Sequence, residues 1–281
     1  MFGKNEIVGK KYFRDSDKIM VVSRFLTLQG EGPFRGMPAY FLRLSKCNLA
    51  CSFCDTYFDN GDWYDIPGIS KEIQSDIEDY FKGNIPSYLS NEVKNAVFVL
   101  TGGEPMLQNN IMELLQEMNK QFRYSQIESN GTVWTEIPDE TILVISPKCS
   151  EKNGEAVKYL TPRPEILERA NCLKFVMDSN PNSPYSTVPE WALEWNQRTG
   201  KQVFVSPMNI YKKLPRKFNE SYSTDNINIQ ERSKIDEVVS FWDEGLLDMA
   251  ANQKNHEYAA NYCINHGLIF NLQQHLYAGL A

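Results

Sequence analysis

What most limits the folds open to this chain is a repeated pattern: a short apolar run stops at a polar turn, and a helix-like stretch follows. Ile19 to Leu28 runs into Gln29-Gly30-Glu31-Gly32-Pro33, and Ala96 to Leu100 into Thr101-Gly102-Gly103-Glu104-Pro105. Tyr124 to Glu128 meets Ser129-Asn130-Gly131-Thr132, Thr141 to Ser146 meets Pro147-Lys148, and Gln202 to Val205 meets Ser206-Pro207-Met208-Asn209. Pro38 to Ser45 and Leu173 to Met177 are further apolar runs of strand length. Helical spacing marks Ser70 to Lys82, Met106 to Lys120, Pro164 to Arg169 and Val188 to Arg198, the last with Trp191 and Trp195 on a core-facing side. Strands alternating with crossover helices predict an α/β fold on a mostly parallel sheet. Such sheets bind ligands at the carboxyl ends of their strands, where all these polar turns fall.

Cysteines are the second constraint. Three of the six stand at Cys47, Cys51 and Cys54, within Cys47-Asn48-Leu49-Ala50-Cys51-Ser52-Phe53-Cys54-Asp55-Thr56. An odd trio disfavours paired disulfides and points to a metal centre. A structural zinc site closes with four ligands, and a ferredoxin-type cluster takes four thiolates. With only three nearby, a four-iron cluster would keep one iron open to a small molecule. Such thiolates belong in a reducing compartment, so a cytoplasmic location is expected. Cys149, Cys172 and Cys263 read as buried apolar residues.

A net charge of −7 argues against broad nucleic-acid binding, which runs on cations neutralising phosphates, and favours a small-molecule substrate. No apolar run approaches the roughly 20 residues of a membrane span. Met1 to Asp17 lacks the apolar centre of a signal peptide, and residues 1–18 read as a polar extension without a role. Tyr211 to Gln230 reads as an exposed connection and Ser233 to Asp248 as a helix. Gly267 to Ala281 reads as a short strand, LIFNL, and an apolar tail docked on the body, either as packing or as part of the site. Arg43, alone in an apolar strand, needs a partner, either an internal carboxylate or that of a substrate.

The spacing Cys-x3-Cys-x2-Cys with Phe53 before the last cysteine resembles the cluster motif of the radical S-adenosylmethionine (SAM) superfamily. Added to it are Leu28-Gln29-Gly30-Glu31-Gly32, Pro38 to Arg43, Asp55-Thr56, Thr101-Gly102-Gly103-Glu104-Pro105, Glu128 to Thr132, Ser146-Pro147-Lys148 and Leu272-Gln273-Gln274-His275. Together, in this order, they resemble the 7-carboxy-7-deazaguanine synthase family. The resemblance implies an incomplete (β/α) barrel over residues 19–281 as a single radical SAM domain. It also implies a lyase of queuosine-type deazapurine biosynthesis that turns 6-carboxytetrahydropterin into 7-carboxy-7-deazaguanine with loss of ammonia. In that family SAM, cleaved at a reduced [4Fe-4S] cluster, yields a radical that takes a hydrogen from substrate C6.

Carried over by motif, Cys47, Cys51 and Cys54 hold the cluster and Thr56 a Mg2+ ion, which suits a hard cation that takes few protein oxygens. Phe53, Asp55, Gly103, Ser146, Pro147, Lys148, Ser206, Met208 and Asn209 contact SAM. Leu28, Gln29, Gly30, Glu31, Arg43, Thr101 and the terminal Ala281 contact the pterin. An electron donor such as flavodoxin or ferredoxin and a homodimer are implied too. The chain departs from the family in having Ser206-Pro207-Met208-Asn209 where Gln-Pro-Met-Asp is usual. It also carries Gln274 and Leu276 in place of a Thr and a Lys. Two other readings compete: a radical SAM activase that makes a glycyl radical on a partner protein, and a zinc or iron-sulfur binding module without catalysis.

Overall fold

The structure is a computed structural model and describes residues 5–212 and 247–280. Its centre is a sheet whose first strand, β1 (Ile19–Leu28), runs antiparallel to β2 (Pro38–Leu44) and to the short β3 (Asp62–Tyr64). The helix α1 (Ile66–Tyr80) follows, then a single turn, α2 (Ser87–Ser90), and β4 (Lys94–Gly102). Next come α3 (Ile111–Gln121), β5 (Phe122–Ser129) and β6 (Ile142–Ile145). A separate hairpin of β7 (Cys149–Lys152) and β8 (Glu155–Tyr159) precedes α4 (Pro164–Arg169), β9 (Cys172–Met177), α5 (Glu190–Thr199) and β10 (Val203–Pro207). The long α6 (Met249–His266), β11 (Ile269–Phe270) and α7 (Gln274–Ala278) complete the described chain.

The nine-stranded sheet has the order β11-β10-β9-β6-β5-β4-β2-β1-β3, and its strands β2, β4, β5, β6, β9, β10 and β11 pair in parallel. It stays open, as an incomplete (β/α) barrel does. In β4 the side-chain period of two sorts one apolar run onto two buried faces. Ala96, Phe98 and Leu100 join the large core under the helices, while Val97 and Val99 pack with Ala39 on the other face. The helix α1 presents Ile66, Ile69, Ile73 and Ile77 to the large core. It starts earlier than its periodicity predicts because Asp65 caps it, accepting from Gly68 N at 2.7 Å, and a proline follows in the first turn.

One expected helix is corrected. The stretch from Met106 to Lys120 divides into a 3-10 turn, Pro105–Leu107, and α3. Between them the buried Gln108 turns inward, its Oε1 accepting from Met20 N at 2.7 Å and its Nε2 donating to Met20 O at 3.0 Å. The LIFNL strand shortens to Ile269–Phe270. The connection expected from Tyr211 to Gln230 and the helix expected from Ser233 to Asp248 lie outside the described residues, except for Tyr211, Lys212, Leu247 and Asp248. Asp248 caps α6 by accepting from Ala251 N at 3.1 Å.

Candidate active site

The carboxyl ends of the parallel strands and the cysteine-bearing loop after β2 enclose a cavity of ≈ 300 Å³. Its lining takes in Cys47, Cys51 and Cys54, with Phe53, Asp55 and Thr56 from the same loop. Gln29 and Glu31 follow β1, and Arg43 and Thr101 come from β2 and β4. Gly103, Ser146, Lys148, Ser206, Met208 and Asn209 complete the predicted residues found in the lining. Leu28, Gly30 and Pro147 do not line it, and Ala281 lies outside the described residues.

Gly30 acts instead by making room. A Cβ there would stand 2.1 Å from His275 Nδ1, so only glycine lets the histidine of α7 into the cavity wall. Gly103 likewise lets two chains meet, since its Cβ would fall 1.8 Å from the Lys46 carbonyl oxygen. Across that contact Gly103 N donates to Leu44 O at 2.9 Å and Glu104 N to Lys46 O at 2.9 Å. The end of β4 is thereby zipped to the start of the cysteine loop.

The floor holds charges that the sequence reading passed over. Lys174 of β9 donates to Glu128 Oε2 at 2.6 Å and to Glu31 Oε2 at 3.0 Å. Glu31 Oε1 accepts from Ser206 Oγ at 2.8 Å, and Glu128 Oε1 from Gln29 Nε2 at 3.1 Å. Burial opposes the charge on Lys174, yet the two carboxylates hold its ammonium well above the usual lysine range. Burial also opposes the charge on Glu31, but Lys174 and the Ser206 hydroxyl keep its carboxyl below the usual range. Burial pushes the His275 imidazole down, against Glu31 and Asp55, so it is neutral at physiological pH. Glu128, Lys174 and His275 were thus missed as site residues, although a lone lysine inside the apolar run LKFVM is the same signal that drew attention to Arg43. The Arg43 guanidinium lies 4.8 Å from the centre of the Phe25 ring and faces the cavity.

The three thiols line another part of the same cavity. Burial pushes Cys47 and Cys54 up to about 12 and raises Cys51 as well; Glu104 adds to this at Cys47 and Asp55 at Cys54. Cys47 Sγ accepts from Asn130 Nδ2 at 3.9 Å, and that amide is oriented because Asn130 Oδ1 accepts from Thr132 N at 2.9 Å. Ser52 N donates to Glu151 Oε1 of the β7–β8 hairpin at 2.7 Å, and the Phe53 ring meets Tyr185 edge-on at 5.0 Å. Among the described residues no three His, Cys, Asp or Glu side chains gather as they would around a single ion. A four-iron cluster takes its thiolates on separate irons, and thiols spread along one wall suit that donor set. Cys149, Cys172 and Cys263 are buried and form no disulfide. Among the described residues no helix is long and apolar enough to cross a membrane.

Comparison with known proteins agrees with this donor set. Residues 28–159 match a family described as a 4Fe-4S single cluster domain. A 7-carboxy-7-deazaguanine synthase of Rickettsia prowazekii is 39% identical over 180 residues, covering 63% of this chain and 68% of that protein. One from Rhodospirillum rubrum is 31% identical over 216 residues, covering 74% and 82%. The crystal structure of QueE from Escherichia coli shares the fold at a TM-score of 0.51 and 18% identity, over 95% of this chain and 99% of that one.

Proposed function

The chain belongs to the 7-carboxy-7-deazaguanine synthase family, and from that premise we propose that it converts 6-carboxytetrahydropterin to 7-carboxy-7-deazaguanine with loss of ammonia. The observation that carries this reading is one cavity lined both by the three thiols and by the Glu31, Lys174 and Glu128 set. Cys47, Cys51 and Cys54 would hold a [4Fe-4S] cluster, and Phe53, Asp55, Gly103, Ser146, Lys148, Ser206, Met208 and Asn209, which line the same cavity, would contact SAM. When bound, the cluster and SAM supply a carbon radical that removes one hydrogen atom from the substrate.

The chain's own residues bind and enclose. Arg43 pairs with the substrate carboxylate, since a guanidinium over an aromatic ring offers a fixed fork of donors. Gln29, Glu31 and Glu128 accept from the N–H groups of the pterin edge, and Lys174 keeps the Glu31 carboxylate charged so that it acts as an acceptor only. Thr101 adds a hydroxyl. Leu276 and Leu280 of the tail close one side of the cavity with apolar surface, which keeps water from a reactive intermediate. Thr56, facing the cavity beside Asp55, offers an oxygen to Mg2+. The one-electron donor is a small protein of the flavodoxin or ferredoxin kind, the enzyme is a cytoplasmic homodimer, and residues 19–281 form one domain.

Anaerobic reconstitution with iron and sulfide, followed by incubation with SAM, reductant and 6-carboxytetrahydropterin, tests the proposal. Mass analysis should show 7-carboxy-7-deazaguanine, and Thr56→Ala should need several-fold more Mg2+ for the same rate. Reconstituted, iron-loaded protein that leaves the pterin unchanged would sink the reading, and an unaltered Mg2+ response would remove Thr56 from it.

A further inference from the structure

The segment before β1 has no part in the function so far, yet it touches both ends of the cysteine loop. At the entrance Val8 N donates to Cys47 O at 2.9 Å, Ile7 pairs with Cys47 as an isolated parallel bridge, and Glu6 accepts from Lys46 Nζ at 2.7 Å. At the exit Asn5 uses both ends of its amide: Nδ2 donates to Thr56 O at 3.1 Å, and Oδ1 accepts from Phe58 N at 2.9 Å. The nearly buried ammonium of Lys46 also bonds Asp59, so one cation joins the segment, the entrance and the exit. The other end of the segment is fixed to the body. Phe13 and Val8 are buried with Leu107, Asn109 Nδ2 donates to Phe13 O at 2.7 Å, and Lys10 Nζ reaches Thr132 O at 2.7 Å.

The loop needs such support. From Asn48 to Thr56 it contains no helix or strand, and its internal bonds are short-range ones, such as Cys54 N to Cys51 O at 3.1 Å, Cys54 Sγ to Thr56 O at 3.5 Å and Thr56 Oγ1 to Asp55 Oδ1 at 3.1 Å. Three thiolates that must meet three irons require a backbone of fixed shape, and here both flanks are fixed from outside. We infer that residues 5–13 are a positioning strap that sets the cysteine loop in its cluster-binding shape, with Asn5 and Glu6 as its working side chains. The cluster half of this statement rests on the function proposed above; the loop half does not.

Hydrogen exchange on the full-length, metal-free protein and its Asn5→Ala and Glu6→Gln variants tests the loop half. Amides from Cys47 to Phe58 should exchange at least about tenfold faster in the variants, while those of β4, β5 and β6 keep their protection. After reconstitution, the variants should also lose iron to a chelator several-fold faster than the parent. Unchanged exchange across the loop in both variants overturns the strap. So does acceleration spread over the whole sheet, the mark of general destabilisation, and so does faster loop exchange with parent-like iron retention. A parent that shows a protected loop but takes up no iron would sink the cluster reading and leave the exchange result standing.

Discussion

The two walls of the cavity are built on opposite principles. The floor consists of side chains at strand ends or just past them: Glu31 after β1, Arg43 on β2, Thr101 on β4, Glu128 on β5, Lys174 on β9 and Ser206 on β10. Apart from Glu31, which follows the antiparallel β1, their spacing follows from parallel register, and the demand they make on the fold is charge held largely away from water. The cysteine wall has no regular structure of its own and is held by residues far away in sequence, among them Val8, Asn130 and Glu151. Its demand is conformational order. Damage to the floor should therefore appear as lost stability, and damage to the loop as lost metal with the fold intact.

The largest separation is expected from Cys51→Ala. Iron content and visible absorbance after reconstitution should collapse and 5'-deoxyadenosine formation should vanish, while the metal-free protein melts within a few degrees of the parent. A variant that still forms an active cluster would break the contrast. On the floor, Lys174→Met leaves two partly buried carboxylates without their cation and should cost up to about 3 kcal/mol of stability in denaturant titration. Part of that loss should return on acidification as the Glu31 carboxyl, no longer held low by Lys174, takes up a proton. A loss under about 1 kcal/mol would show that Lys174 is not what makes the floor tolerable.

Glu104, behind the cavity lining, bonds Ser129 and Asn130 and adds a pH dependence of its own. It is fully buried, and burial pushes its carboxyl from 4.5 to about 7, against the donors Asn130 N, Met106 N and Ser129 Oγ. The folded chain thus holds this proton more tightly than the unfolded chain. The associated stability is fully present below 4.5 and is lost as pH rises through about 7. The loss is about 3 kcal/mol at about 1.4 kcal/mol per unit. Denaturant midpoints should fall between about pH 5 and pH 8, and Glu104→Gln should flatten the fall; equal slopes in parent and variant would refute the link. The smallest effect is expected from Asn130→Ala, which removes an N–H donor from the Cys47 sulfur. The cluster potential should move to more negative values with unchanged iron content, because a thiolate without that bond is a stronger donor. An unshifted redox titration would leave Asn130 as a loop support only.

Much of this was legible because buried parallel strands are unbroken apolar runs and their polar turns mark where a ligand binds. The floor's partners were harder to see, since Lys174 and Glu128 are far apart in sequence and only register brings them together at 2.6 Å. The β7–β8 hairpin did carry a signal, Asn153-Gly154, and both residues take positive φ, 54° and 79°. Helix α6 hid behind its polarity. Asn252, Asn255, Ala259 and Cys263 are buried at helical spacing, but a search for apolar periodicity passes over asparagines. Those asparagines bond backbone: Asn252 Nδ2 donates to Ile210 O at 2.8 Å and Asn255 Nδ2 to Met208 O at 2.8 Å, which ties α6 to the turn after β10.

The gap at Gly30 has a consequence in time. His275 enters the wall beside β1, Gln274 N donates to Gly30 O at 3.2 Å, and Leu276 and Leu280 face the cavity. During synthesis the thiol loop and the strands β1 to β10 emerge well before this segment does, and β11 emerges just ahead of it. The cavity therefore gains its tail side, with Gln273, His275, Leu276 and Leu280, only after residues 273–280 have left the ribosome.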